Sequence, residues 1–434
     1  MFGYYFDLAL RSFRRNKVLT ALMVLAIALG IGASMTTLTV LHVLSGDPIP
    51  GKSAVLFYPQ LDPAEMTGYT PGQEPNGQMT RLDAETLLRE KRGVRQAMMT
   101  GGSVSIEPGQ SQLPPFRVDA RYSSADIFPM FAMPFLSGSG WSAAEDEASA
   151  RVAVITKALK DKLFGATDAT GKTLRIDKST FQIVGVLDEW RPTPKFYDMY
   201  GNSGYGESDQ VFLPFSTSRD LDMDRNGSMD CWGDSREGQD SLNAPCTWIQ
   251  YWVELDSPED ADAYLQYLTN YSDQQRAAGR FQRPTNVRLR NVSEWLAFNK
   301  VVPRDVVMQV WLAFGFLLVC LVNTVGLLLA KFMRRSGEVG VRRALGASRR
   351  DIFLQGLTEA GTVGLAGGLL GLLLAWLGLW AVRQQPTDYA DLAHLDPAML
   401  VTTFVIAILA SLLAGLLPAW SAMQVSPAMQ LKSQ

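Results

Sequence analysis

The chain has 434 residues, 47% hydrophobic and 19% charged, with a formal net charge of −3 and a mean hydropathy of +0.02. That neutral average hides two populations, long uncharged apolar runs and a polar middle, which excludes a single soluble globule. With only His42 and His394 in the chain, metal centres and Ser-His-Asp arrangements have little to draw on.

Residues 1–17 come first, with Phe2, Phe6, Ala9, Leu10 and Phe13 at helical spacing and Arg14, Arg15 and Lys17 just after. This spacing predicts a cytosolic amphipathic helix on the inner membrane face, or else the frayed start of the first span. Uncharged apolar runs cover Val18–Gly46, Val306–Ala330, Ala360–Val382 and Ala398–Leu431. Each reaches the roughly 20 residues that a helix needs to cross a bilayer. The predicted spans are 18–46, 306–330, 352–382 and 398–423. The first exceeds a signal-peptide core and shows no cleavage pattern, so it is expected to stay as an anchor. Its Gly30, Gly32, Ala33 and Ser34 would let a neighbouring helix approach closely.

The polar stretch 47–305 carries 27 Lys and Arg against 36 Asp and Glu, net minus nine, which gives nucleic acid nothing to bind. It reads as an α+β domain. Arg81–Arg92 has helical periodicity, while Arg117–Ala120, Val152–Ile155, Thr173–Ile176 and Phe181–Leu187 have the composition of short strands. From about 191 to 250 the chain turns to Gly, Ser, Asp and Asn, predicting an inserted loop-rich subdomain. Cys231 and Cys246 fall there, and an oxidising compartment would permit a disulfide between them. Asp256–Ala278 reads as helix and Val287–Leu289 as strand. Asn291–Lys300 is expected to run on as helix into the second span, with a kink at Pro303.

Between the second and third spans, residues 331–351 carry seven Lys or Arg against Glu338 and Asp351. Short loops with that bias stay in the cytoplasm. The N-terminus is then inside, the polar domain outside, the acidic loop 383–397 outside and the tail 424–434 inside. Gly337, Gly340 and Gly346 divide the basic segment into short helical pieces, with Ser348 as an expected N-cap. Retention of a loop needs only scattered charge, so two short helices there point to a docking surface for a cytosolic partner. The third span carries Gly364, Gly367, Gly368 and Gly371 at i, i+4 spacings, a small-residue face for packing within a subunit or across a dimer. Glu359, near Arg349 and Arg350, is expected either to form an interfacial ion pair or to relay motion. Asn323 would tie helices together. GATDATGKT, residues 165–173, lacks the spacing of a phosphate-binding loop and runs into a strand-like segment, so nucleotide binding is rejected there.

These residues resemble a known family. GEVGVRRALGASRRDIFLQGLTEA, Gly337–Ala360, is similar to the signature between the second and third spans of MacB-type ABC permeases (type VII, sharing the architecture of FtsX, LolC and LolE). RVAVITKALKDKLFGATDATGKTLRIDKSTFQIVGVLDE, Arg151–Glu189, and VFLPFST, Val211–Thr217, resemble that family's periplasmic core. LRSFRRNKVLTAL and GLLPAWSAMQVSPAMQL fit at the two ends. The resemblance implies a bacterial inner-membrane permease of four transmembrane helices plus a large extracytoplasmic domain, working as a dimer with a second copy or a paralogue. It implies no cofactor in this chain, with ATP and Mg bound by a cytosolic ABC ATPase partner, and it adds a periplasmic adaptor and an outer-membrane channel as partners. It assigns ATPase coupling to Glu338, Arg342, Arg343, Leu345, Gly346, Arg349 and Arg350. MacB carries its ATPase ahead of the first span; this sequence begins just before that span, so the expectation is a separate ATPase chain. The tail departs from the family too, with Lys432 its only basic residue. Two other readings stay open: an FtsX-like regulator of periplasmic hydrolases, and a membrane sensor without an ATPase.

Overall fold

The computed structural model describes residues 17–108, 113–201, 204–395 and 397–424. The amphipathic helix expected over 1–17 and the tail beyond 424 lie outside them, except for Lys17. The chain divides into two compact units, Gly46–Val301 and the helical remainder on either side.

Helix α1, Lys17–Leu44, is apolar throughout and belongs to the helical unit. The second unit then builds one mixed sheet. Its strands are β1 (Leu56–Gln60), β2 (Met79–Thr80), β3 (Arg95–Glu107), β4 (Phe116–Ser123), β5 (Phe135–Gly138), β6 (Val152–Thr156) and β7 (Thr173–Ile176). After these come β8 (Ser179–Leu187), β9 (Val211–Pro214), β10 (Arg225–Asn226), β11 (Asp230–Cys231), β12 (Cys246–Glu254) and β13 (Arg288–Asn291). The main path runs β13-β1-β12-β3-β4-β9-β6-β8-β5, with β4–β9 and β6–β8 parallel. Helices α2 (Arg81–Glu90), α3 (Lys157–Phe164) and α4 (Asp260–Ala277) supply Leu87, Leu159 and Leu268 to one face of the sheet. The other face holds an aromatic layer of Phe128, Phe131, Phe196, Trp252 and Trp295. Successive strand side chains go to opposite faces, so Val154 enters the aromatic layer while Ala153 and Ile155 enter the helical one. Both faces are covered, which is why β6 and β9 read as continuous apolar runs rather than alternating ones.

Three expectations need correction. Residues 191–250 are not an inserted subdomain: they supply β9, paired between β4 and β6, and they open β12, paired between β1 and β3. A buried charge cluster also holds the stretch before β9 in place. Arg121 of β4 is ion-paired to Asp198 and, at 2.9 Å, to Asp209, which also binds Lys195 at 2.9 Å. In this stretch only the short strands β10, paired to β3, and β11, paired to β12, lie off the main path, and Cys231 and Cys246 are disulfide-bonded across the β11–β12 pair.

Second, the helix after β13 does not continue into the second span. α5, Val292–Phe298, stops where Lys300 takes a left-handed φ of 51°, and Pro303 caps a new helix, α6 (Arg304–Arg334). Proline disfavours helical conformation at the residue before it, Val302, which adds to the break already made at Lys300. Third, residues 331–351 hold the expected helical pieces and the Ser348 cap, but only the first piece is a separate short helix, the second being the start of the third long helix. α6 runs to Arg334, α7 spans Ser336–Ala344, and α8 (Arg349–Arg383) starts almost at once. With α9 (Pro397–Met423), the unit has four helices long and apolar enough to cross a membrane. The helices exceed the uncharged runs because charged residues at a helix end can reach the interface while their backbone stays helical.

Inside the helical unit α8 packs between α1 and α9. A Cβ at Gly367 or Gly371 would meet Ile27 or Ile31 of α1; one at Gly364 or Gly368 would meet Ser411 or Ala407 of α9. The four glycines are therefore buried in packing within this chain. Ser34 donates to the Ala313 carbonyl at 3.1 Å, tying α1 to α6. Trp311, Leu318, Leu369 and Trp380 face outward, as hydrocarbon allows and water would not. Asn323 also faces outward, instead of tying helices together within the chain.

Candidate functional site

The site is the segment joining α6 to α8. Lys331 and Arg334 close the last turn of α6, where cations suit the negative end of the helix dipole. Arg335, at φ −105° and ψ 8°, is the corner residue between α6 and α7. Gly346 then takes a φ of +102°, a conformation that costs glycine little and that ends α7. Ser348 caps α8 reciprocally with Asp351: its hydroxyl accepts from the Asp351 amide at 3.2 Å, while its own amide donates to the Asp351 carboxylate at 3.1 Å.

α7 has two distinct faces. Inward, Gly340 is buried, Arg342 donates to Gln355 of α8 at 3.2 Å and to Glu338 at 2.8 Å, and Arg343 donates to the Met423 carbonyl of α9 at 3.3 Å. Outward, Val341 is 54% and Leu345 84% exposed, one turn apart. Arg349 and Arg350 lie exposed just beyond. Charge around an exposed apolar pair is a composition that suits a docking face.

The seven residues expected to contact a partner thus separate. Leu345, Gly346, Arg349 and Arg350 are on the open surface, as is Glu338, which pairs with Arg342. Arg342 and Arg343 are half-buried and turned onto the bundle. Glu359 forms ion pairs, but with Lys331 and, at 3.5 Å, with Arg335 rather than with Arg349 and Arg350. Sequence reasoning passed over Lys331, Arg335 and Val341. The available signals were the i, i+4 spacing of Lys331 and Arg335, and an isolated acid at the start of an apolar run. A cavity of about 40 Å³ beside these groups, lined by Phe332, Arg335, Arg342 and Glu359, has room for water. Among the described residues no His, Cys, Asp and Glu group is placed to hold a metal ion. The stretch after residues 165–173 is strand β7, so no helix N-terminus faces that turn.

Comparison with known proteins gives two family matches: the MacB-like periplasmic core domain over residues 20–271 and the FtsX-like permease C-terminal region over residues 310–427. The pyoverdine export ATP-binding/permease protein PvdT of Pseudomonas savastanoi pv. phaseolicola is 27% identical over 96% of this chain and 58% of its own length. The macrolide export ATP-binding/permease protein MacB of Marinobacter nauticus is 24% identical over 98% of this chain and 60% of its own. The chain therefore spans about three fifths of the length of these relatives. Among solved structures, the periplasmic region of MacB from Actinobacillus actinomycetemcomitans aligns with a TM-score of 0.37 at 12% identity, over 58% of this chain and 95% of that one.

Proposed function

Since the chain belongs to the MacB-type, FtsX-like family of ABC permeases, we propose that it couples ATP hydrolysis by a separate cytosolic ABC ATPase to movement of its extracytoplasmic domain, driving export. On this reading α7 is where the ATPase docks, and ATP and Mg belong to that partner. The permease works as a dimer in the bacterial inner membrane with both termini cytosolic, together with a periplasmic adaptor and an outer-membrane channel. The observation that carries the reading is the outward face of α7, Val341 and Leu345 exposed among basic residues between the second and third spans. The relatives' names, which join ATP binding to export, support it. So does the chemistry of the segment, since a basic apolar face suits a protein partner better than it suits water.

The test is co-purification of the full chain with candidate ABC ATP-binding subunits, followed by ATP turnover of the complex. One subunit is expected to bind and to lose binding when Val341→Asp and Leu345→Asp are combined. If no subunit bound, or if the double variant bound as well as the parent, the docking reading would fail. Cargo depletion with a hydrolysis-dead ATPase separates an exporter from a regulator of periplasmic enzymes, because only the exporter needs turnover to move cargo.

A further inference from the structure

We propose that Glu359 is a positioning residue, the anion that locks the α6–α7 corner to α8 so that a push on α7 is delivered into the third span instead of being absorbed at that corner. This rests on the reading of α7 as the docking helix. Glu359 is 3% exposed and Lys331 1%. One carboxylate holds two points on the preceding segment of the same chain: Lys331 in the last turn of α6, and Arg335 at the corner itself. Gln355, one turn before Glu359 on the same face of α8, receives Arg342 from the inner side of α7. Arg343 adds the tie to α9. α7 is thus fastened along its inner face at several points and open along its outer one.

Stability alone does not call for such a cluster. An apolar pair of similar volume commonly holds buried helices together at least as well as an ion pair. What a buried pair adds is register. Apolar side chains can slide past one another by a fraction of a turn at little cost, whereas a carboxylate drawn away from its ammonium in a low-dielectric setting loses a strong attraction. The corner at Arg335 is where sliding would dissipate motion, and that is the residue the second carboxylate oxygen holds.

The experiment uses spin labels on the full chain in lipid nanodiscs. Ala344→Cys on α7 and Gln384→Cys beyond the far end of α8 are exposed, while Cys320 is buried and the other two cysteines are bonded. α8 is about 50 Å long at 1.5 Å per residue, within reach of pulsed spectroscopy. Glu359→Gln is expected to broaden the distance distribution, and the charge swap Lys331→Glu and Arg335→Glu with Glu359→Lys to narrow it again. Lys331→Met, Arg335→Met and Glu359→Met together remove the cluster without stranding a partner, so this variant should stay folded and still broaden. If the folded triple-Met variant kept the parent's narrow distribution, the proposal would be overturned.

With an ATP-binding subunit bound, Glu359→Gln should keep ATP turnover and lose the nucleotide-dependent shift between labels at Lys178→Cys on two copies; the swap should restore that shift. A retained shift in the Gln variant also overturns the proposal. A parent protein that shows no shift at all counts against the coupling reading instead, and the measurement on the isolated chain still decides the joint.

Discussion

Arg121 and Asp209 carry the clearest single-residue consequence in the extracytoplasmic unit. Burial pushes the Asp209 carboxyl upward, but Arg121 and Lys195 outweigh it and hold its pKa at about 2. A carboxyl lowered on folding contributes stability that is complete above its ordinary value of 3.8 and is lost as pH falls toward about 2. Urea unfolding between pH 7 and pH 5 should therefore show no loss from this group, with the decline setting in below pH 4. Arg121→Ala leaves buried carboxylates without their partner and should cost about 3–5 kcal/mol at pH 7 in the same unfolding measurement. None of this was legible in the sequence, because Arg121 lies 77 residues from Asp198 and 88 from Asp209. Glu359 shows the same limit at closer range. Its isolation in an apolar run marked it as paired, but choosing between Arg349 and Lys331 required the register of α6 against α8.

The glycine face of α8 turns on how closely helices approach. A Cβ at Gly367 would lie 2.7 Å from Cγ2 of Ile27, whereas one at Gly361 would sit in ordinary contact, 3.7 Å from Leu412. Gly367→Val should therefore overpack the α1–α8 contact and cost about 1–3 kcal/mol, read as a lower thermal midpoint in detergent, while Gly361→Ala stays near the parent. In the sheet, the Cys231–Cys246 bond closes a separation of 15 residues, and loops of that size gain about 3 kcal/mol from cross-linking. Replacing both cysteines with serine should lower resistance to urea by that order. Length and lack of charge made the four long helices readable. The strands were harder. β3, which the sequence reading did not assign, carries Gly101 and Gly102 at its centre, where Asn226 and the ring of Tyr122 occupy the space of a Cβ. β12, CTWIQYWVE, is buried along its whole length and so lacks the alternation that marks a strand.

For the whole molecule, charge bias along the chain makes a directional prediction about the membrane. Lys178→Cys should react with an impermeant thiol reagent on intact spheroplasts, and Ala344→Cys only after the membrane is opened; the reverse pattern would invert the proposed topology. The fold class was legible because composition switches sharply at both boundaries of the polar stretch. The 191–250 region was misread because its local composition resembles a loop, although its two strands are held by pairing to distant partners. One pairing in that sheet bears on how such proteins diversify. β1 and β13, the first and last strands of the extracytoplasmic unit, lie side by side, with Phe57 opposite Asn291 and Gln60 opposite Arg288. The unit therefore begins and ends at neighbouring points on one edge, the arrangement that lets a whole domain be grafted between hosts without opening either fold. Exchange of the sheet unit as a cassette would leave the four helices and the α6–α7 corner as they are.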